Sequence, residues 1–105
     1  MPKTKIAEPL EIEFSEGSNH KITSSVQLFN KKGNKSYLKG EFPKALRLYS
    51  KALKLAPEVG LIHYNIALCL LNLNKTSEAV KHFKLAKRYS KGDKRILNSE
   101  LVTKY

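Results

Sequence analysis

The chain contains little of several residue types, and each scarcity excludes a class of protein. Cys69 is the only cysteine among 105 residues, so no internal disulfide is possible and a reducing compartment is indicated. Five glycines and four prolines favour helices over turn-rich β structure. No apolar run resembles a signal peptide or a membrane span. We therefore expect a cytoplasmic protein that does not bind membranes.

Residues that perform catalysis or hold metals are also scarce and scattered. No two of the three histidines, His20, His63 and His82, lie four apart around an acid, as they would in a zinc-binding helix. There is no glycine-rich phosphate loop, and Cys69 lies in an apolar helical stretch without a placed base, which is typical of a small core residue. The sequence therefore predicts no catalytic residues, no metal site, no cofactor and no enzymatic activity.

Acidic residues are few, and the net charge of +11 is unevenly distributed. Residues 1–16 hold four glutamates against two lysines, whereas the remainder holds 18 lysines and arginines against five acids and carries +13. A basic body predicts an acidic partner, such as an acidic peptide, a nucleic acid or an anionic surface. A lysine-rich, solvated surface would produce the same composition.

A repeat with an offset of 34 residues is the most informative feature that is present. Residues 34 positions apart share their character, whether small, aromatic or apolar, in these pairs: Gly33 and Ala67, Ala45 and Ala79, Leu46 and Val80, Tyr49 and Phe83, Ala52 and Ala86. Pro57 alone lacks a like counterpart, because Lys91 stands there. A period of this length indicates a helical repeat array, which is a binding surface rather than a catalytic site.

Helix signals divide most of the chain, whose length permits one domain at most. Ser24 or Ser25 is predicted to cap the first helix, and Thr76 the fourth. The third is apolar nearly all round, which predicts packing on more than one side. The fifth has no partner, so it either caps the array or begins a further repeat. About five helices are predicted: 24–39, 43–57, 59–73, 76–90 and 94–105.

The amino terminus, residues 1–22, has no helical period and is predicted to be a flexible acidic tail. Within it, Leu10, Glu11, Ile12, Glu13 and Phe14 alternate between apolar and acidic residues, which favours a short strand or an extended segment that docks elsewhere. One hypothesis is that this glutamate-rich tail folds back on the basic body and competes with a partner.

The chain resembles the tetratricopeptide repeat family through residues with that family's spacing: Lys32-Gly33-Asn34, Gly40-Glu41-Phe42, Ala45, Tyr49, Ala52 and Pro57. The resemblance implies an all-α, right-handed superhelical array of antiparallel helix pairs. It places the repeat domain at 23–105, with repeat one at about 26–59, repeat two at about 60–93 and a final capping helix at about 94–105. Lys32, His63 and Lys91 depart from the family pattern.

Packing expectations follow from the repeat. Gly33 and Ala67 should let helices approach closely, and a larger side chain would overpack the crossing at a cost of roughly 1–3 kcal/mol. His63 is expected to pack between helices. The predicted core consists of Phe29, Leu46, Tyr49, Ala52, Leu53, Ile62, Ile66, Ala67, Val80, Phe83, Ala86, Ile96 and Leu97.

The resemblance also implies a function, which is to bind an extended peptide or protein segment in a concave groove lined by the first helix of each repeat. Asparagine suits such a groove because its amide donates to and accepts from a peptide backbone, and tyrosine adds contact area at low entropic cost. The helical period projects these residues into the groove: Asn30, Asn34, Tyr37, Leu61, Tyr64, Asn65, Leu68, Leu71, Asn72, Arg95, Asn98, Ser99, Val102 and Tyr105.

A narrower hypothesis concerns a carboxylate clamp. Some members of the family hold the C-terminal carboxylate of a chaperone peptide with two asparagines and three basic residues. Asn34, Asn65 and Arg95 fall at corresponding places, but Asn30 and Ser99 stand where the other two cations would be. The clamp is incomplete, so an internal or acidic peptide is the preferred ligand.

Two further surfaces offer alternative functions. Lys81, Lys84, Arg88 and Lys91 form a basic patch on the fourth helix, which could bind nucleic acid or another polyanion, or be a solvated outer face. An uncovered fifth helix would expose Leu97 and Leu101 at the end of the array, which could support a homodimer.

Overall fold

The protein forms an all-helical array in the computed structural model, which describes residues 6–12 and 22–105. Within these ranges there are six helices and no strand, and residues 6–12 precede the first helix without regular secondary structure. The helices are α1 (Ser24–Leu38), α2 (Phe42–Leu55), α3 (Gly60–Asn72), α4 (Thr76–Arg88), α5 (Lys94–Leu97) and α6 (Glu100–Lys104). The predicted fold class is confirmed.

Consecutive helices pair along the chain. The hairpin of α1 and α2 packs through α2 on α3, which pairs in turn with α4. The short helices α5 and α6 close the far end against α3 and α4. This order places α1, α3 and α5, the first helices of successive units, next to the extended segment, and their side chains form the site described below.

Both of the N-caps that the sequence predicted, those of α1 and α4, are corrected by the structure. Thr23, not Ser24 or Ser25, caps α1, because its hydroxyl accepts a hydrogen bond from the Val26 N–H at 3.3 Å. Lys75 rather than Thr76 precedes α4 and provides no side-chain cap. Gly40, with φ of 79°, ends the first hairpin turn as expected of glycine.

The C-terminal region departs from the predicted single helix of about 94–105. Ser99 has φ of −67° and ψ of 130°, an extended conformation that separates α5 from α6. Lys91, with φ of 51°, explains why the second repeat lacks a closing proline. Proline is restricted to φ of about −65° and cannot adopt this conformation.

Two glycines allow close helix contacts. A Cβ on Gly33 would lie 2.5 Å from Tyr49 Cε1, which accounts for the small residue predicted there. A Cβ on Gly60 would lie 2.6 Å from the Ala86 carbonyl oxygen. The repeat did not identify Gly60 as a close-contact position, because the residue 34 positions earlier is Val26 and is not small.

The core is centred on α3, in which every residue from Gly60 to Leu71 is buried, as its apolar sequence predicted. Cys69 belongs to this core, and burial raises the pKa of its thiol to about 12. Leu97 was wrongly predicted to be buried, since 36% of its surface is exposed. Buried residues that the prediction omitted include Val26, Tyr37, Phe42, Leu61, Tyr64, Leu68 and Leu70.

Four predicted core residues are only partly buried: Phe29, Leu46, Leu53 and Val80. The first three pack against this cluster. Among the described residues, no helix is both long enough and apolar enough to cross a membrane.

Candidate peptide-binding groove

Residues 7–12, hereafter the resident segment, lie along α1, α3 and α5 and contact five of the predicted groove residues: Asn30, Asn34, Tyr37, Asn65 and Arg95. Pro9 restricts its own φ and disfavours helix at Glu8, which is consistent with the absence of helix in this stretch. Ala7, Leu10 and Ile12 pack against the core, whereas Glu8 and Glu11 are exposed. Of the predicted Leu10–Phe14 alternation, the last two residues lie outside the described ranges, as do residues 1–5 and 15–21 of the predicted tail.

The peptide groups of Leu10 form the centre of the contact. The Leu10 N–H donates to Asn65 Oδ1 at 2.7 Å, and the Leu10 carbonyl accepts from Asn65 Nδ2 at 2.8 Å. The same carbonyl accepts from Asn30 Nδ2 and from Asn34 Nδ2, each at 3.1 Å. Three side-chain amides from α1 and α3 thus converge on one residue of the segment.

The three amides are also joined to one another. Asn65 Nδ2 donates to Asn30 Oδ1 at 2.9 Å, and Asn34 Oδ1 accepts from the hydroxyl of Tyr49. Tyr49 is fully buried, and burial raises the pKa of its phenol, so it remains a neutral donor. Because the Tyr49 hydroxyl holds the oxygen of the Asn34 amide, the Nδ2 group of the same amide is directed towards Leu10. The sequence analysis identified Tyr49 only as a core residue. The contact of its ring with Gly33, the residue before Asn34, was the feature that could have revealed its role at the site.

Two further side chains hold the ends of the segment. The hydroxyl of Tyr37 donates to the Ala7 carbonyl at 2.6 Å and accepts from Asn72 Nδ2 at 3.0 Å. Burial raises the pKa of Tyr37 to about 12, so this phenol is also a neutral donor. At the other end, Arg95 Nη1 donates to the Glu11 carbonyl at 2.9 Å. The contacts that Tyr37 and Arg95 make with the segment are both to backbone carbonyls.

The charge of Arg95 is matched within its own helical turn. Its Nη2 lies 2.8 Å from Asp93 Oδ2, and its Nε donates to Asp93 Oδ1 at 3.1 Å. Burial alone would raise the pKa of Asp93, but its hydrogen bonds with Arg95 and the charge of Arg95 outweigh burial and lower that pKa. Arg95 therefore donates one N–H to the segment while its guanidinium charge is paired with Asp93.

Other residues projected into the groove have different surroundings. Leu61, Leu68, Leu71 and Val102 are buried members of the core. Tyr64 shares a hydrogen bond with Ser99 at 3.2 Å and packs edge-on against Phe83, on which Tyr105 stacks at 5.7 Å between ring centroids. Asn98 is exposed. The direct polar contacts to the segment come from the predicted residues Asn30, Asn34, Tyr37, Asn65 and Arg95.

A cavity of about 210 Å³ lies between the resident segment and α1. It is lined by Glu11, Ile12, Gln27, Asn30, Lys31 and Asn34. Two of the three amides that contact Leu10, those of Asn30 and Asn34, therefore also line this cavity.

A histidine pair lies in a separate region between α3 and α4. His63 Nε2 is 2.9 Å from the Pro57 carbonyl and therefore carries the proton, which leaves His63 Nδ1 as the acceptor for the Nδ1–H of His82 at 3.0 Å. Burial lowers the pKa of both rings, and the neighbouring His63 lowers that of His82 further. The expectation that His63 packs between helices is confirmed. No cluster of three or more potential metal ligands occurs in the described ranges.

The residues of the two alternative surfaces differ in exposure. Lys81, Lys84, Arg88 and Lys91 are exposed, and none makes an ion pair with a described residue. On the last two helices, Leu97 is exposed and Leu101 is partly buried.

Comparison with known proteins identifies the helical array. A family model described as tetratricopeptide repeat matches residues 37–99, which is more than half of the chain. Stress-induced-phosphoprotein 1 of Caenorhabditis elegans is 39% identical over 49 residues, which are 47% of this chain and 15% of that protein. The chain therefore matches only a small part of this relative, and no solved structure matches it. With the repeat spacing, the helix pairs and the family match in agreement, the chain belongs to the tetratricopeptide repeat family.

Proposed function

We propose that this protein is a non-catalytic adaptor that binds an extended peptide or protein segment in the concave groove formed by α1, α3 and α5. Tetratricopeptide repeats in general mediate protein–protein interaction. The observation that carries the proposal is the convergence of the Asn30, Asn34 and Asn65 amides on the peptide groups of Leu10.

The chemistry favours an internal segment over a free carboxylate as the ligand. Asn65 pairs with both the N–H and the carbonyl of one residue, a pattern that any residue except proline can satisfy within a chain. Arg95 lies at the clamp position, but its charge is matched by Asp93. The ligand is therefore recognised mainly through its backbone, and an apolar side chain at the Leu10 position adds specificity.

An acidic character of the ligand has separate support. The exposed positions of the resident segment are Glu8 and Glu11, and the rest of the chain beyond residue 16 carries +13. Opposite charge at exposed positions mainly raises the association rate and is screened by salt. We propose a protein segment with glutamate or aspartate beside an apolar anchor, in a cytoplasmic setting.

The test is a peptide array probed with the full chain carrying Leu10→Asp, which opposes docking of the resident segment. Peptides are supplied with a free or an amidated C terminus. We expect amidated peptides with one large apolar residue to bind, and a further Asn30→Ala change to weaken them about 2- to 10-fold. Lys32→Ala, at an exposed position of α1, serves as the control and should bind like its parent.

Two results would contradict the proposal. If binding required the free C terminus, the carboxylate clamp would replace the internal segment as the ligand. If no peptide bound in a manner that depends on Asn30, while circular dichroism reported the native helices, peptide binding in this groove would be wrong.

A further inference from the structure

We propose that the resident segment, residues 7–12, is an intramolecular competitor that any partner must displace from the groove. The partner's segment would then have the same chemistry: extended, internal, and with a large apolar side chain where Leu10 lies. This inference rests on the proposed function, and the experiment below separates the two.

The first argument is that the resident segment uses the groove's donors. Leu10 engages Asn30, Asn34 and Asn65 together, and its N–H takes the Asn65 acceptor. An amide nitrogen carries two hydrogens, and those of Asn65 are shared between Leu10 and Asn30. A second peptide cannot bind the same amides until Leu10 leaves, so the two occupants exclude each other.

The second argument is that the contact spans the groove from end to end. Tyr37 on α1 holds the Ala7 carbonyl, and Arg95 on α5 holds the Glu11 carbonyl. Leu10 and Ile12 face the core, while Glu8 and Glu11 face solvent. This division is the one that a bound peptide needs, because its apolar side chains pack against the groove and its charged ones remain hydrated.

The third argument concerns the connection between segment and groove. The segment is joined to α1 through residues 13–21, so it binds the groove of its own chain at a fixed effective concentration. For two sites joined by a short stretch of chain, this concentration is on the order of millimolar. A segment whose affinity as a separate peptide is about 100 μM would then lower the apparent affinity of a competitor roughly tenfold. Even weak contacts are therefore sufficient to regulate access.

The experiment measures binding of a fluorescent peptide with the sequence of residues 7–12, blocked at both ends, to three full-length chains. These are the unmodified chain, Leu10→Asp and Ile6→Asp. The Leu10 change introduces a charge at the docked position, whereas the Ile6 change introduces the same charge at the exposed neighbour that precedes the segment. We expect the peptide to bind Leu10→Asp at least fivefold more tightly than either other chain.

A second measurement establishes whether the occupant belongs to the same chain. The advantage of Leu10→Asp should be independent of protein concentration, and the unmodified chain should sediment as a monomer. A dimer that Leu10→Asp dissociates would show that the segment occupies the groove of a second copy, and would overturn the intramolecular assignment.

The remaining outcomes distinguish the two proposals. Equal peptide affinity for the unmodified chain and for Leu10→Asp would overturn self-competition. Failure of the peptide to bind Leu10→Asp, where array peptides bind it through Asn30, would also overturn self-competition and leave the groove function standing. If neither the peptide nor the array bound a folded Leu10→Asp chain, the proposed function itself would fail.

Discussion

Asn65 holds Leu10 by both of its backbone polar groups, through a donor at 2.8 Å and an acceptor at 2.7 Å on the same side-chain amide. The two residues are 55 positions apart, and the pairing reproduces on one side chain the exchange of hydrogen bonds seen between strands. Because Asn65 lies on the central helix, this pair links the resident segment to the core of the array.

Tyr49→Phe tests whether the buried hydroxyl orients the Asn34 amide. The change leaves Asn34 Oδ1 without its Tyr49 donor, and we expect the free energy of unfolding to fall by about 1–2 kcal/mol. In a Leu10→Asp background, peptide affinity should fall as well. Urea denaturation and peptide titration measure the two effects. Tyr89→Phe is the matched control, since the Tyr89 ring stacks on His63 away from the segment, and equal losses in the two variants would contradict the positioning role.

Two glycine substitutions should differ in severity. Gly33→Ala drives a Cβ against the Tyr49 ring, which is buried but is a side chain. Gly60→Ala drives one against backbone atoms of Ala86 and Tyr89, which are held by α4. We expect losses of about 1–3 kcal/mol in unfolding free energy, with Gly60→Ala the larger. Thermal and urea unfolding give the ranking, and a milder Gly60→Ala would show that α4 shifts freely.

Lys91 lies in the left-handed region of backbone conformation, so replacing it by glycine and by proline should change the stability in opposite directions. Lys91→Gly should stabilise the protein by up to about 1 kcal/mol, because glycine adopts φ of 51° without strain. Lys91→Pro should destabilise it by more than about 1 kcal/mol, because proline cannot adopt that angle. Asn74→Gly, at φ of 63°, is the control and should change less, since asparagine tolerates this conformation. Differential scanning calorimetry compares the three.

The histidine pair predicts a loss of stability in mild acid. The folded pKa values of His63 and His82 lie below the ordinary value, so only well above about pH 6.5 are both rings neutral in either state and without pH dependence. As the pH falls below this value the unfolded chain binds protons that the folded chain excludes, and stability decreases towards the lowered pKa values. Glu78 opposes part of this effect at His82. Unfolding measured from pH 7 to pH 5 should show the slope, and His82→Gln should reduce it.

The basic patch provides a test of the alternative function. If Lys81, Lys84, Arg88 and Lys91 bind a polyanion, affinity for single-stranded RNA should fall steeply with salt, with a log–log slope of about −0.7 for each phosphate contact. Lys84→Ala with Arg88→Ala should then make the slope shallower, whereas Asn30→Ala should leave it unchanged. A slope near zero for the unmodified chain would exclude a phosphate-binding role for this face.

Local pattern predicted the helices and the faces that carry the asparagines in contact with Leu10, because both depend on the 3.6-residue period. The positions of Asn30, Asn34 and Asn65 follow from the faces of α1 and α3, and the close approach at Gly33 follows from its pairing with Ala67. The resident segment could not be placed in this way, because its contacts connect Leu10 to residues at least 20 positions away and have no local signature. The extended Ser99 was likewise missed, since serine is compatible with a continuous helix.

The single thiol has a practical consequence for studying displacement of the segment. Cys69 is fully buried and is protonated well above neutral pH, so it reacts poorly with maleimides. A cysteine introduced at the exposed position of Glu8 would therefore accept a fluorophore selectively, without removal of the native residue. Opening of the groove could then be recorded in real time as a change in the environment of one dye on an otherwise unaltered core.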